Sequence, residues 1–364
     1  MSRFARKRRV FFLEEPVFED CQPHLRSSIC PKTGVRVNTP VLPAGSPAQQ
    51  VVRLQQQLLK SMLVDHKIDD CIAWYYTPMA RQFASDLLPA RLTVYDCMDE
   101  LSAFAGAPAE MRENERALFG EADLVFTGGA SLYESKRLQH PAVYLFPSSV
   151  DLAHFARARR PEVEPEDQLH LPRPRLGYAG VIDERMDLGL IAGIAAAKPE
   201  WQLVLLGPVA KIDPASLPRA DNIHYLGMKA YEDLPRYLSG WNIGMLPFAL
   251  NESTRFISPT KTPEYLAAGL RVISTPIRDV VTPYGDLGLV SIAGGPRDFV
   301  RAAEVLIQSP PSNDFLASSA RFLSSSSWDK TWSEMNRLME ENLSRRPLHV
   351  SPSNKLLVEG VAYV

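Results

Sequence analysis

The chain has 364 residues, of which 45% are hydrophobic and 23% are charged, and its formal net charge is -2 at pH 7. This composition is typical of a globular protein long enough for two domains, and the near-neutral charge argues against a general nucleic-acid binder. Because the four cysteines form neither a CxxC pair nor a zinc-like spacing, we predict a reduced, cytoplasmic location.

The beginning of the chain carries its one basic cluster. Five cations lie within seven positions: Arg3, Arg6, Lys7, Arg8 and Arg9. Two interpretations are open. The cluster is either the solvated end of a helix or a contact with the anionic inner face of a membrane.

Short apolar runs alternate with helical patterns over the first 145 residues. We predict strands at 10–13, 35–37, 71–74, 92–95, 124–126 and 143–145, and helices at 49–63 and 109–119. This alternation is typical of βαβ units and a parallel sheet. It predicts one doubly wound domain over residues 1–155.

The same alternation restarts after a stretch rich in proline and charge, 156–174, which we interpret as an interdomain linker. Strands are predicted at 175–179, 203–206, 223–226, 243–246, 272–274 and 289–292, with helices at 187–197, 231–238, 259–268 and 297–307. They predict a second Rossmann-like domain over 175–327. A last helix follows at 328–346, and we assign no structure to the tail, 347–364.

The most informative segment runs from Ser258 to Gly269 in the second domain. Pro259 suits the first position of a helix, Ser258 can cap it, and the free amides of such a turn favour an anion. Lys261 and Glu264 are three residues apart and therefore lie on one face. A diphosphate at the helix end, with the lysine on its charge and the glutamate on ribose hydroxyls, would explain these residues; the alternative is a charged surface helix.

The pattern Ser-Pro-x-Lys-x-x-Glu-Tyr-x-Ala-x-Gly in a second Rossmann-like domain resembles the GT-B glycosyltransferases. It is most similar to the retaining, family 4-like enzymes of bacterial surface polysaccharide biosynthesis. Further segments match that group in the same order, at 94–100, 115–126, 146–151, 234–235 and 245–248. The resemblance implies an α/β fold of two Rossmann-like, doubly wound domains that face a cleft, with the C-terminal helix packing back across the domains.

The resemblance also implies a donor site in the second domain. Glu264 matches the glutamate that holds the ribose, and Lys261 matches a lysine that faces the phosphates. The other predicted donor-binding residues are Gly180, Arg185, Arg255, Ser258 and Thr260. Gly180 would let backbone approach the phosphates, and for Arg185 a surface salt bridge is the alternative.

Asp96 and Asp99 are the predicted catalytic residues, because they follow a strand whose end faces the acceptor in that family. A carboxylate there could orient an acceptor hydroxyl or accept its proton. The alternative is that Asp96 caps a turn and Asp99 caps the next helix.

The sequence departs from the family pattern at three places. Phe256 stands eight positions before Glu264, where many retaining members have a second glutamate, and Met98 precedes Asp99 where many have a histidine. The chain also begins with residues that resemble the end of the family's first helix, so we expect the first βα unit of the family to be absent from this sequence. We expect either that the start is internal to a longer gene product or that the unit was lost.

Together these features predict a glycosyltransferase that moves a hexose-type sugar from a nucleotide diphosphate sugar to a saccharide or lipid-linked acceptor. We expect no cofactor, no metal and no nucleic acid. The alternative is a non-catalytic nucleotide-sugar-binding or scaffold protein derived from such an enzyme. A nicotinamide-dependent oxidoreductase is disfavoured, because no GxGxxG follows the first strand of either domain.

Overall fold

The computed structural model of the chain describes residues 1–160, 163–325 and 327–345, and the predicted tail lies outside them. The chain divides into two compact units. Among the described residues, one comprises Met1–Asp96, Ala109–Phe126 and 332–345, and the other Cys97–Pro108 and Thr127–Thr331. These units do not coincide with the domain bounds drawn from the sequence, which stay a prediction. Among the described residues, no helix combines the length and the apolar character needed to cross a bilayer.

The first unit is built around two small sheets. Its elements are β1 (Phe11–Leu13), β2 (Val17–Glu19), β3 (His24–Ile29), β4 (Arg36–Pro43), α1 (Ala48–Asp65), β5 (Cys71–Tyr75), α2 (Arg81–Ala84), β6 (Ala90–Cys97), α3 (Met111–Glu121) and β7 (Leu124–Thr127). In the first sheet β1 and β2 both pair in parallel with β4, and β3 pairs with it antiparallel. In the second sheet β5, β6 and β7 are neighbours in that order.

Two of these strands, β2 and β3, were not predicted. Almost every residue of β2 and β3 is exposed, so neither strand shows the alternation by which half-buried strands are recognised. The strand predicted at 35–37 is also longer than expected, because β4 continues through Pro40 to Pro43. Proline is read as a strand breaker, yet here both prolines are accommodated in an eight-residue strand.

The basic cluster at the beginning packs within the first unit. A short 3-10 helix covers Phe4–Arg6, and the Phe4 and Trp332 ring centroids are 6.1 Å apart. The Lys7 ammonium lies 5.1 Å from the Trp332 ring, and Arg8 forms an ion pair with Glu340. Both partners belong to the last helix, α13 (Trp328–Ser344), which buries Leu338 and Met339.

The second unit contains a six-stranded parallel sheet. Its elements are α4 (Ala130–Lys136), β8 (Val143–Leu145), α5 (Leu152–Phe155), α6 (Glu166–Leu169), β9 (Arg175–Ala179), α7 (Leu188–Ala197), β10 (Gln202–Leu206), β11 (Ile223–Gly227), α8 (Leu234–Leu238), β12 (Ile243–Leu246), α9 (Lys261–Ala267), β13 (Arg271–Ser274), α10 (Arg278–Val280), β14 (Val290–Ile292), α11 (Pro296–Gln308) and α12 (Asn313–Ser324). The strand order is β11-β10-β9-β12-β13-β14. Numbered from β9, this is the order 3-2-1-4-5-6 of the doubly wound fold, which binds ligands at the carboxyl ends of its strands.

The described residues of the stretch predicted as a linker, 156–174, belong to the second unit. Gln168 is fully buried there. It donates to the Tyr237 carbonyl at 3.0 Å and accepts from the Trp241 indole nitrogen at 2.8 Å. The polar composition of this stretch predicted an exposed linker. Gln168 is nevertheless buried, because its amide makes hydrogen bonds within the protein.

Close packing in the centre of this sheet depends on Gly177 in β9. A Cβ built at Gly177 would lie 2.0 Å from the indole of Trp241. We therefore expect Gly177→Ala to lower the free energy of unfolding by about 3 kcal/mol, as overpacking of a core does. Urea unfolding of both proteins measures this difference.

Gly294→Ala is the matched control, because a Cβ there meets no atom within 4 Å and the residue is in the same unit. Its free energy of unfolding should stay within about 0.5 kcal/mol of the parent. Equal effects of the two substitutions would contradict the packing described for Gly177.

Candidate functional site

The predicted donor helix begins later than its sequence indicates. α9 starts at Lys261, and its N-cap residue is Thr260, which makes no side-chain capping bond. Ser258 is therefore not the cap, and Pro259 precedes the helix instead of opening it. The end is as predicted, because Gly269 has a φ of +83° and terminates the helix before β13.

The Lys261 ammonium lies 2.8 Å from a carboxylate oxygen of Glu264. Both side chains are mostly buried, with 24% and 14% of their surfaces exposed. Burial raises the pKa of Glu264, while the charge of Lys261 acts in the opposite direction. The structure therefore brings these two predicted residues together as a desolvated, mutually neutralised pair. Such a pair offers a carboxylate that can accept hydrogen bonds from hydroxyl groups, beside an ammonium group that can bind an anion.

Tyr265 fixes the position of this pair. Its side chain is fully buried, and its hydroxyl accepts a hydrogen bond of 2.7 Å from the amide of Ala179, the last residue of β9. Because α9 is tied to the carboxyl end of a central strand, Lys261 and Glu264 lie near the edge where doubly wound sheets bind ligands.

Gly180 follows directly after β9 and is packed against neighbouring backbone. Gly207, just after β10, has a φ of +138°, and a Cβ on it would lie 1.9 Å from the Gly180 carbonyl oxygen. The backbones that leave β9 and β10 are therefore in direct contact. This contact accounts for glycine at 207, whereas the approach of phosphates to Gly180 stays a prediction.

Arg185 is engaged in an ion pair within the second unit. Its guanidinium donates to the Asp183 carboxylate at 2.6 to 3.0 Å and lies 5.3 Å from the ring centroid of Phe104. The pair is partly buried and is not the surface salt bridge considered from the sequence.

The three remaining predicted donor residues differ in their exposure and in their contacts. Arg255 has 63% of its side chain exposed and is 3.7 Å from Glu252. Ser258 packs against Gly129, where a Cβ would lie 2.7 Å from the Ser258 Cβ. Thr260 is exposed. Their contact with a donor stays a prediction.

Asp96 and Asp99 fall in different units. In the first unit, Asp96 accepts a hydrogen bond of 3.2 Å from the Trp74 indole, and burial raises its pKa to about 7. In the second unit, burial raises the pKa of Asp99 to about 6, and Arg185 opposes that rise. The N-cap of the following turn is Glu100, so Asp99 does not cap it as the alternative required. Both carboxyls titrate near neutrality, which suits proton transfer.

Two aromatic residues beside α9 were missed from the sequence. The His154 and Tyr231 rings stack with centroids 4.2 Å apart and an interplanar angle of 9°. His154 lies in α5, which packs against α9. No local pattern marks these residues, because their proximity arises from tertiary packing alone. Within the described part of the chain, no three His, Cys, Asp or Glu residues form a cluster that could hold a metal ion.

Comparison with known proteins gives the architecture. No family model matches the chain. Its sequence is 24% identical over 256 residues to the putative teichuronic acid biosynthesis glycosyltransferase TuaH of Bacillus subtilis, a match that covers 65% of this chain and 64% of that protein. The alignment thus spans less than two thirds of the length of this curated relative.

Solved structures match over more of the chain. Sucrose-phosphate synthase from Thermosynechococcus elongatus superposes with a TM-score of 0.70 at 16% identity, over 95% of this chain and 92% of that one. HepE from Anabaena, in complex with UDP and glucose, gives 0.58 at 15% identity, over 86% of this chain and 87% of that one. The chain has a GT-B fold. This confirms the predicted α/β class with Rossmann-like parallel sheets.

The raised pKa of Asp96 predicts a pH dependence of stability. Because the folded state favours the neutral acid, the contribution is complete below about pH 4 and is lost as the pH rises through 7. Asp96→Asn removes this titration. The stability of the parent relative to Asp96→Asn should therefore fall by on the order of 3 kcal/mol between pH 4 and pH 8.

Urea unfolding at a series of pH values tests this, with Asp20→Asn, at an exposed position in the same unit, as the control. A difference between parent and Asp96→Asn that stays constant over the pH range would show that the pKa of Asp96 is the same in the folded and the unfolded protein.

Proposed function

We propose that the chain is a glycosyltransferase that transfers a hexose-type sugar from a nucleotide diphosphate sugar to a saccharide or lipid-linked acceptor. The observation that carries the proposal is the Lys261–Glu264 pair, held at the carboxyl edge of the second unit's sheet. The GT-B fold supports it, as does the likeness to TuaH, which is named as a putative glycosyltransferase of teichuronic acid biosynthesis.

In this proposal Glu264 accepts hydrogen bonds from the ribose hydroxyls and Lys261 donates to the diphosphate. The acceptor oxygen attacks the anomeric carbon of the donor sugar and loses its proton. The bond from that carbon to the phosphate oxygen breaks, and the nucleoside diphosphate leaves with the electron pair. Because negative charge accumulates on the leaving group, Lys261 stabilises the transition state more than the bound donor.

Asp99 and Asp96 are the proposed groups for the acceptor proton. A carboxyl with a pKa of about 6 or 7 is close to the optimum for a general base at neutral pH. Arg255 and Arg185 are the further cations proposed for the diphosphate, and Arg185 would share its charge with Asp183.

The finer assignments rest on resemblance. We propose the retaining, family 4-like class, with no metal or other cofactor beyond the donor. A UDP-hexose is the first donor to test, since HepE was solved with UDP and glucose. We also propose a cytoplasmic location, which the spacing of the cysteines favours, with peripheral membrane contact through the basic cluster at residues 3–9.

Substitution of the central pair tests the donor site. Glu264→Ala removes the acceptor for two hydroxyls, and the affinity for UDP should fall about 10- to 100-fold. Lys261→Ala should lower kcat/KM for a UDP-hexose about 100-fold or more, because it removes a cation at the leaving group. Calorimetry with UDP and assays of transfer and donor hydrolysis measure these effects.

The control is Glu334→Ala, which breaks an exposed pair with Arg337 at the same spacing on α13 and should leave both values unchanged. Full activity in Glu264→Ala and Lys261→Ala would refute the donor site. Binding of UDP without any turnover would favour the non-catalytic scaffold.

The stereochemical proposal has its own test. With a UDP-α-hexose donor, we expect the anomeric proton of the product to show the α configuration by NMR, since the retaining class keeps the donor's configuration. A β product would overturn retention while leaving the transfer reaction intact.

A further inference from the structure

An aromatic surface in the second unit is not used by the proposed chemistry. Tyr231 begins the turn after β11, and its ring lies parallel to that of His154, 4.2 Å away. Phe155 is buried and stands nearly perpendicular to both, with centroids 4.9 Å from His154 and 5.7 Å from Tyr231. The three rings form a compact cluster in which Phe155 supports the stacked pair.

Hydrogen bonds fix the pair in place. The Asp151 carboxylate caps α5 by accepting from the His154 amide at 3.0 Å. The Nε2 of His154 is 2.9 Å from the Tyr231 carbonyl oxygen. Hydrogen bonds thus hold both the backbone and the ring of His154. Because the Tyr231 ring stacks on that ring, its orientation is set before any ligand binds.

The cluster adjoins the Glu264 carboxylate. Helix α5, which carries His154, packs against α9, which carries Glu264. Burial, and then the charges of Asp151 and Glu264, raise the pKa of the Tyr231 phenol to about 12. The phenol is therefore neutral at physiological pH, and the ring is a flat, uncharged surface next to a carboxylate.

Tyr231 is also accessible. It is 47% exposed, and Met228, three residues earlier in the same loop, is 77% exposed. His154 stacks on one face of the Tyr231 ring, and the exposed part of the residue can be reached by a planar ligand. An exposed aromatic ring offers a flat surface on which a planar base can stack.

We propose that Tyr231, backed by His154, stacks the nucleobase of the donor while Glu264 holds the adjoining ribose. This inference rests on the proposed function, since it names the third part of the same nucleotide. A nucleobase fits the geometry because it is planar and is joined directly to the ribose. A hexose acceptor is nonplanar and reacts at the opposite end of the donor, beyond the diphosphate.

The test separates the base from the rest of the nucleotide. Binding of UDP, GDP and inorganic pyrophosphate is measured by calorimetry to the parent, Tyr231→Ala, Tyr231→Phe and Glu264→Ala. We expect Tyr231→Ala to lower the affinity for UDP and for GDP about 10-fold, because loss of stacking acts through the base alone. The affinity for pyrophosphate should stay within 2-fold of the parent value. Tyr231→Phe keeps the ring and should bind all three like the parent.

Each other outcome is decisive. If Glu264→Ala weakens UDP and Tyr231→Ala does not, the stacking role is wrong and the proposed function stands. If Tyr231→Ala weakens the binding of pyrophosphate as much as that of UDP, Tyr231 affects the phosphate contacts or the fold, and the inference fails. If the parent binds no nucleoside diphosphate, the proposed function itself fails. Should Tyr231→Ala not fold, Tyr231→Leu replaces it, because it keeps bulk without an aromatic face.

A change confined to the KM for the acceptor would assign the ring to the acceptor and also overturn the inference. His154→Ala gives an independent check on the supporting ring. We expect it to weaken UDP about 3-fold, less than Tyr231→Ala, because it removes the support and leaves the stacking face.

Discussion

The hydrogen bond from the Ala179 amide to the Tyr265 hydroxyl determines the position of the Lys261–Glu264 pair in the proposed donor site. It joins the end of the central strand β9 to the middle of α9, and it is shielded completely from solvent. The ring can reach this amide because Gly244 in β12 leaves space, since a Cβ there would lie 2.5 Å from the ring. Burial raises the pKa of Tyr265 well above its usual value, so the hydroxyl stays neutral. An ionised phenol at this depth would be strongly destabilising.

The charges of Lys261 and Glu264 are paired with each other in the structure. Each neutralises the other at 2.8 Å, which offsets the cost of holding them partly out of water. A bound nucleotide can take over both roles, because phosphate oxygens accept from the ammonium and ribose hydroxyls donate to the carboxylate. Binding then exchanges one set of charge-assisted hydrogen bonds for another, and neither charge is left unpaired in a desolvated place.

The parts of the structure that could be predicted are those with strong local patterns. β9 and β12 are buried along their whole length, and their apolar runs gave the observed ends. β3 could not be found in this way, because its residues are exposed and its pairing with β4 is antiparallel. The predicted start of α9 was two residues too early. Ser258 and Pro259 match the usual pattern of a helix N-cap followed by proline, but the observed N-cap is Thr260.

The site shows the same division. Glu264 and Lys261 were identified because they lie three apart in one short segment, and the structure places them in contact. The ion pair of Arg185 with Asp183 is equally local, but its partial burial could not be predicted from the spacing of the two residues. His154 and Tyr231 could not be identified, since the chain between them must fold before their rings meet. Sequence patterns therefore predicted contacts within one element and missed those between elements.

The two halves of the proposed nucleotide site differ in how they are anchored. Glu264 and Lys261 stand on a helix tied to the central sheet, whereas Tyr231 stands in a surface turn after an edge strand. Tyr231 takes no part in the hydrogen bond that ties α9 to β9. The preference for one nucleobase over another can therefore diverge among descendants of this chain while the grip on ribose and phosphate is inherited unchanged.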